Sequence, residues 1–256
     1  MTLRKPLRLL PEALLVKTGR VGHADWNYRP FLGFAQRRRF KLCRRLIGPL
    51  PVGRVLEIGF GSGIFLPELD GHARWLFGAD VHPYAAAVSA VLRTQGVEAH
   101  LVRASAEALP FADDSFDLLV AVSALEFVPD VERACKELRR VLKQSGALVV
   151  VTPGASWVID LAFKLFTGED ARVDFGDSRQ RVRRALRQHF VAERELRFPP
   201  FGPDSLCIYH ALRLRPLASG HQPEQGVSSC ATKVPKAHLP TGGHPCVAPE
   251  PMQREE

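Results

Sequence analysis

The chain has 256 residues, of which 46% are hydrophobic and 24% charged, a composition that excludes disordered and fibrous classes and fits a globular core. Its net charge of +8 is concentrated in residues 1–54, which hold 13 Lys or Arg against two acids. The five cysteines are scattered, which argues against a disulfide framework and against a zinc site, so we expect no metal. No apolar run reaches the ~20 residues of a membrane-spanning helix, and we expect a cytoplasmic protein.

Residues 1–50 are predicted to be a basic amino-terminal extension that contains one helix. Over 31–47, Phe40, Cys43 and Ile47 recur at steps of three and four, which places them on one helix face. The positive charge suits an anionic substrate, a nucleic acid or peripheral contact with an acidic membrane surface. A solvated arm or helix face is an equally good interpretation of the same charge.

Residues 51–153 alternate short apolar runs with helical stretches. The predicted strands are 55–58, 75–79, 100–102, 116–122 and 147–152. The predicted helices between them are 64–69, 83–95 and 131–143. This alternation requires crossover connections and predicts a mainly parallel sheet that is buried on both faces.

Residues 154–216 are predicted to complete the same domain. Helices are expected at 155–166 and 179–189, followed by strands at 191–198 and 206–214 that form an antiparallel pair at one sheet edge. The fold class is therefore α/β, a Rossmann-like, seven-stranded and mostly parallel sheet sandwiched by helices. Residues 217–256 are rich in Pro, Gly, Ser and His, lack periodicity and are predicted to be disordered.

A glycine-rich turn follows the first predicted strand directly. Its residues are Gly59, Phe60, Gly61, Ser62 and Gly63. Glycine permits positive φ and lets a ligand approach the backbone, and the helix that follows presents free N–H groups. Such a turn at the carboxyl end of a sheet strand is typical of nucleotide-binding sites.

The residues around this turn favour a cationic ligand without phosphate. Gly63 falls one residue early for the dinucleotide pattern Gly-x-Gly-x-x-Gly. Glu57, in the strand just before the turn, would repel a pyrophosphate but suits a positively charged ligand. Asp80 ends the second predicted strand, where a carboxylate can accept hydrogen bonds from both hydroxyls of a ribose.

Together these features resemble the class I S-adenosylmethionine-dependent methyltransferases, and most of all the branch that includes the ubiquinone and menaquinone C-methyltransferases. The resemblance covers about residues 52–153 and implies that S-adenosylmethionine is the cofactor. By that likeness, residues 57–63 cradle the methionine end of the cofactor. Asp80 would hold the ribose, and Val81 would pack against the adenine.

The resemblance extends to two further loops. Ser105 and Ala106 would contact the amino group and a ring nitrogen of the adenine, and Ser123 would lie near the transferable methyl group. The family usually has Asp at the position of Ser105, so the uncharged hydroxyl should give a weaker contact.

The sequence identifies no catalytic group. Glu126 and His82 follow strands at the end where a methyl acceptor would approach, but solvated loop positions are the favoured interpretation for both. Helix 155–166 lies where the family inserts substrate-binding structure, and its apolar face favours a small, hydrophobic acceptor such as a quinone, polyketide or lipid precursor.

Three other functions are weighed against a small-molecule methyltransferase. A nucleic-acid or protein acceptor is suggested by the leading segment and by the set Arg179, Arg181, Arg183, Arg184 and Arg187, but no base-flipping or RNA-binding motif accompanies them. A nicotinamide-dependent oxidoreductase is disfavoured by the glycine spacing and by Glu57. A non-catalytic S-adenosylmethionine-binding protein remains an alternative because of Ser105.

Overall fold

The computed structural model describes residues 6–19, 24–30, 32–48, 52–154, 178–203 and 206–217. The predicted helix at 155–166 lies outside the described residues, as does the predicted disordered tail from residue 218 onward.

The described residues contain seven strands in one sheet, in the order β3-β2-β1-β4-β5-β7-β6. The strands are β1 (Val52–Ile58), β2 (Ala73–Asp80), β3 (His100–Arg103), β4 (Phe116–Val122), β5 (Leu142–Pro153), β6 (Phe190–Phe198) and β7 (Tyr209–Pro216). The first five strands pair in parallel, whereas β7 is antiparallel to both of its neighbours, β5 and β6. The predicted Rossmann-like fold with an antiparallel pair at one edge is confirmed.

The helices of the described residues connect these strands. They are α1 (Leu32–Ile47), α2 (Leu66–Asp70), α3 (Ala85–Thr94), α4 (Val131–Val141) and α5 (Ser178–His189), with 3₁₀ turns at Glu12–Leu14, Ala24–Asn27 and Leu125–Phe127. Helix α4 begins at a capping residue, because the Asp130 side chain accepts a hydrogen bond from the Arg133 N–H at 3.0 Å.

Several predicted boundaries are wrong, most clearly those around β5 and β7. Helix α4 ends at Val141, and β5 begins at Leu142, well before its predicted start at residue 147. Leu142 pairs with Phe116 of β4, so hydrogen bonding to a neighbouring strand extends β5 backwards. Strand β7 begins at Tyr209 rather than at residue 206. The starts of β5 and β7 depend on pairing partners that are distant in sequence.

The sheet is buried on both faces. On one face, Val55, Leu118 and Val149 pack with α1, α2 and α3. On the other face, Leu56 and Leu119 pack with α4 and α5. Successive strand residues point to opposite faces, so a strand covered on both sides reads as a continuous apolar run.

The leading segment is part of this core. Leu10 is fully buried, and its N–H donates to the Ile64 carbonyl at 3.1 Å. The Arg8 N–H donates to Glu68 Oε2 at 2.7 Å, and the Arg8 guanidinium pairs with Asp70 at 3.0 Å. The interpretation of the segment as a solvated arm is therefore wrong for residues 8–10, which cover α2.

The first helix behaves as predicted. Phe40, Cys43 and Ile47 are all buried, and they belong to the same apolar cluster as Leu10. Within the described residues, no helix is long and apolar enough to cross a membrane.

Truncating Leu10 should destabilise the protein as strongly as truncating a residue of the sheet. We expect Leu10→Ala to lower the free energy of unfolding by about 2–5 kcal/mol, because it leaves a cavity in a fully buried site. Chemical denaturation monitored by circular dichroism measures this. The control is Leu206→Ala, at a half-exposed position, which should cost less than about 1 kcal/mol. Equal losses for the two variants would show that the leading segment is not part of the core.

Candidate functional site

The glycine turn runs from the end of β1 to the start of α2. Gly59, Gly61 and Gly63 have φ angles of +72°, +52° and +75°, a region that favours glycine. A Cβ on Gly59 would lie 2.6 Å from the Ala124 Cβ, and one on Gly63 would lie 2.6 Å from Val88 Cγ1. A Cβ on Gly61 would meet nothing within 4 Å. The outer two glycines are therefore required by close packing, whereas Gly61 faces open space.

Asp80 lies directly beside this turn. Its Oδ2 accepts a hydrogen bond from the Gly61 N–H at 2.8 Å, and its Oδ1 accepts from the His82 N–H at 3.4 Å. The parallel register of β1 and β2, which pairs Ile58 with Ala79, brings the two strand ends level. A carboxylate has about four lone-pair sites, so Asp80 retains acceptor capacity for a ligand.

The His82 side chain stabilises the glycine turn by contacts with Gly61 and Phe60. Its Nδ1 accepts a hydrogen bond from the Tyr84 N–H at 3.1 Å, so the ring proton resides on Nε2, which donates to the Gly61 carbonyl at 2.9 Å. The ring also stands edge-on to Phe60, with centroids 4.9 Å apart. The expectation of a solvated loop position is wrong, because these contacts bury the side chain.

The residues after β2 and β3 lie at the same edge of the sheet. Val81 is 64% exposed and follows Asp80. The Ala104 N–H donates to the Asp80 carbonyl at 2.9 Å, which holds the loop after β3 against the end of β2. An exposed apolar side chain is thus available next to the Asp80 carboxylate.

Ser105 is already engaged within its own loop. Its hydroxyl accepts from the Glu107 N–H at 3.1 Å and lies 3.3 Å from Glu107 Oε2, to which it donates. Ala106 is buried in the same apolar cluster as Ile58 and Ala79. The loop is therefore adjacent to the predicted site, but the Ser105 hydroxyl has less free capacity than the sequence alone indicates.

Buried oxygen atoms without hydrogen-bond partners lie where β1 and β4 end. Among the described residues they include Glu57 Oε2, Ser62 Oγ, Ser123 Oγ and both carboxylate oxygens of Glu126. Ser123 has a φ of +53°, an uncommon conformation for a residue with a side chain. Each unpartnered buried group costs about 1–3 kcal/mol, and native proteins tolerate few of them. Their concentration at these strand ends indicates a ligand site.

The two glutamates of this group are held in an unfavourable environment for charge. Glu57 is 4% exposed, and burial raises its pKa well above the usual value; nearby Asp80 adds to the rise, and Arg39 opposes it. Glu126 is 5% exposed, and burial raises its pKa to about 7 against the opposing effects of its own backbone N–H, Arg179 and Arg39. A solvated position for Glu126, favoured from the sequence, is wrong.

The arginines of α5 do not form one basic surface. Arg179 is buried near Glu126, whereas Arg181, Arg184 and Arg187 are exposed along the outer face of the helix. Arg39 of α1, which acts on Glu57 and Glu126, was not singled out from the sequence. Its contribution could be found only from the packing of α1 across the sheet.

Stability should fall as the pH is raised through neutrality. The folded state holds the Glu126 proton more tightly than the unfolded chain, so the stabilisation is present below about pH 4.5 and is lost as pH rises through about 7. A shift of this size corresponds to about 3 kcal/mol in the free energy of unfolding. Urea denaturation at several pH values between about 5 and 8 measures the slope.

Glu126→Gln should flatten most of this dependence, since glutamine keeps the shape but does not ionise. A residual slope of the same sign is expected from Glu57, whose pKa is also raised. The control is Glu98→Gln, at an exposed position, which should keep the full slope. If Glu126→Gln keeps it as well, another group is responsible for the titration.

Comparison with known proteins identifies the central part of the chain. Residues 56–150 match a family model described as a methyltransferase domain. A phosphatidylethanolamine N-methyltransferase of Cereibacter sphaeroides is 36% identical over 102 residues, which are 39% of this chain and 50% of that protein. A demethylmenaquinone methyltransferase of Mycolicibacterium paratuberculosis is 33% identical over 110 residues, or 43% of this chain and 46% of that protein. The chain thus spans about half the length of these two relatives.

The fold is also found in solved structures. The N-methyltransferase NodS from Bradyrhizobium japonicum, in complex with S-adenosyl-L-homocysteine, superposes with a TM-score of 0.56 and 21% identity over 78% of this chain and 94% of that one. This likeness shows a common fold. The family match and the demethylmenaquinone methyltransferase relative confirm, for residues 56–150, the resemblance to the class I S-adenosylmethionine-dependent methyltransferases, type 11 branch.

Proposed function

We propose that this protein is an S-adenosylmethionine-dependent methyltransferase that acts on a small, hydrophobic acceptor. The observation that carries the proposal is the open space at Gly61, whose N–H donates to the Asp80 carboxylate, at the same edge of the sheet as the unpartnered oxygens after β1 and β4. The activity is proposed for the whole chain, because the family match covers its central part.

The residues around Gly61 fit the chemistry of S-adenosylmethionine. The ligand carries an ammonium, a sulfonium and a carboxylate but no phosphate, and the carboxyl groups of Glu57 and Asp80 on this side of the turn suit its cationic groups. Asp80 retains lone pairs for the ribose hydroxyls, and Val81 offers apolar surface to the adenine. Ser62 and Ser123 have hydroxyls without partners that can take part in binding. The bound cofactor would supply an electrophilic methyl group.

The adenine contact is the weakest part of this fit. The family usually has Asp at position 105, and here Ser105 is engaged with Glu107. Ala106 supports the loop from the core, so a contact at this position would involve its backbone. A protein that binds the cofactor without turnover would share all of these features, and only a turnover assay separates the two functions.

The chain's main catalytic task is alignment. Transfer from a sulfonium is an in-line displacement, so holding the two reactants in line supplies much of the rate. The positive-φ turn and Ser123 are fixed by close packing, since Gly59 leaves no room for a Cβ beside Ala124. Such rigid support keeps the reacting groups in place.

Apolar side chains at the sheet edge support a hydrophobic acceptor. Phe34 and Leu206 are about half exposed and Phe201 is 80% exposed. Phe34 contacts Phe198, the last residue of β6, at a centroid distance of 6.3 Å. Because Tyr209 pairs with Phe198 and with Pro153, the hairpin between β6 and β7 lies level with the carboxyl end of β5.

The same surface has positive charge next to its aromatic rings. The Arg38 guanidinium lies 4.2 Å from the Phe34 ring centroid and 5.0 Å from that of Phe198. Aromatic and basic groups together suit peripheral contact with an acidic membrane, from which a lipid-like acceptor could be taken. The two relatives are named for phosphatidylethanolamine and demethylmenaquinone, which are both hydrophobic molecules.

A nucleic-acid acceptor is less well supported. Arg8 and Arg44 of the basic leading region pair with Asp70 and Glu68, and Arg179 is buried. These three cations contact other groups of the fold, so the exposed positive charge of α5 is carried by Arg181, Arg184 and Arg187 without support from them.

Binding of S-adenosylhomocysteine, the demethylated product, tests the site. We expect Asp80→Ala to weaken binding about tenfold or more, because it removes charge-assisted hydrogen bonds to the ribose. Isothermal titration calorimetry measures the dissociation constant. The control Asp25→Ala removes an exposed carboxylate that pairs with Arg29 and should leave the constant unchanged. No binding to the wild-type protein at millimolar ligand would rule out the proposed function.

A further inference from the structure

Glu126 stands out among the buried polar groups because no hydrogen bond to another described residue accounts for its burial. It lies in the 3₁₀ turn Leu125–Phe127, just beyond the end of β4. The side chain is 5% exposed, and no other residue in the described part of the chain hydrogen-bonds to either carboxylate oxygen. A carboxylate with a purely structural role is normally hydrogen-bonded or paired when it is buried. The two free oxygens therefore point to a missing donor.

The position of Glu126 places that donor next to the glycine turn. Ala124, two residues earlier, packs against Gly59 so closely that a Cβ there would lie 2.6 Å from its own Cβ. Arg39 of α1 acts electrostatically on both Glu57 and Glu126, so both carboxylates lie within electrostatic range of one guanidinium. Glu57 belongs to the proposed cofactor side, which leaves Glu126 for the second reactant.

We propose that Glu126 forms the acceptor site, where its carboxylate binds the O–H or N–H group of the methyl acceptor and receives its proton. This inference rests on the proposed function and narrows its substrate class. The acceptor would be a hydrophobic molecule with a hydroxyl or amino group at the methylated position.

The proposed step balances in atoms and charge. A lone pair of the acceptor oxygen or nitrogen forms a bond to the methyl carbon, while the electron pair of the carbon–sulfur bond stays on sulfur. The acceptor proton moves to the Glu126 carboxylate and passes to water after product release. The sulfonium charge is thus replaced by the transferred proton, and no further reactant is needed.

The electrostatics of the turn suit this role. Burial raises the pKa of Glu126 to about 7, and the charged groups that oppose the rise are Arg179 from α5 and Arg39 from α1. A general base works best when its pKa lies near the working pH, because it is then partly ionised and still holds a proton well.

Two ligands that differ only at the reacting position test the proposal. S-adenosylhomocysteine has a plain thioether there, whereas sinefungin has a carbon that bears an amine. The sinefungin ammonium occupies the place of the transferable methyl group, which faces the acceptor, and it should donate to a carboxylate oxygen of Glu126 on that side. We expect Glu126→Gln to reduce the preference for sinefungin over S-adenosylhomocysteine roughly tenfold, while the affinity for S-adenosylhomocysteine changes less than about twofold. Calorimetry with both ligands gives the ratio.

A matched control and a pH series complete the experiment. Glu98→Gln, the same substitution at an exposed position, should keep the wild-type preference. In the wild-type protein the preference should rise with pH, with a midpoint near 7, because the ionised carboxylate binds the ammonium more strongly. The ratio of the two affinities removes any titration of Glu57 that affects both ligands equally.

The outcomes separate the two proposals. If the wild-type protein binds neither ligand, the proposed function fails. If it binds S-adenosylhomocysteine but its preference is unaffected by Glu126→Gln and by pH, the function stands and the acceptor site is not at Glu126. If Glu126→Gln does not fold, the wild-type pH series decides, since a preference without a midpoint near neutrality overturns the inference.

Discussion

The hydrogen bond from the Gly61 N–H to the Asp80 carboxylate is the contact on which the site depends. It joins the ends of two neighbouring parallel strands and fixes the glycine turn in a conformation that only glycine adopts easily. His82 reinforces it by donating to the Gly61 carbonyl, so both polar backbone groups of Gly61 are held. The open space beside Gly61 follows from this fixed backbone.

The site costs the protein stability. Glu57 and Glu126 are buried carboxylates with unpartnered oxygens, and both have a raised pKa, which means that the folded state disfavours their charge. Arg39 reduces this cost for both without satisfying either by a hydrogen bond. A ligand with N–H or O–H donors would recover part of the lost free energy, so the apo protein is poised to bind.

Features that depend on residues close together in the chain were predictable from the sequence. Strand β4 was placed at 116–122, and the glycine turn followed by Asp80 was recognisable from spacing alone. The sequence alone could not predict the docking of Leu10, the burial of Glu126 and Arg179, or the early start of β5. Each of these depends on a partner that is far away in the chain, such as Ile64 for Leu10. Apolar periodicity reports which face of an element is buried but not what covers it.

The proposed cofactor half and acceptor half of the site are built from different parts of the chain, and this affects how the choice of acceptor can change. The proposed cofactor half comes mainly from short stretches at the ends of β1 and β2, where changing one residue disturbs the turn itself. The proposed acceptor half is assembled from α1, the turn after β4, α5 and the hairpin between β6 and β7, which are remote from one another in sequence. Substitutions at Glu126 or the exposed Phe201 would alter the acceptor without touching Gly61 or Asp80. A change of acceptor therefore requires neither a new fold nor a new cofactor site.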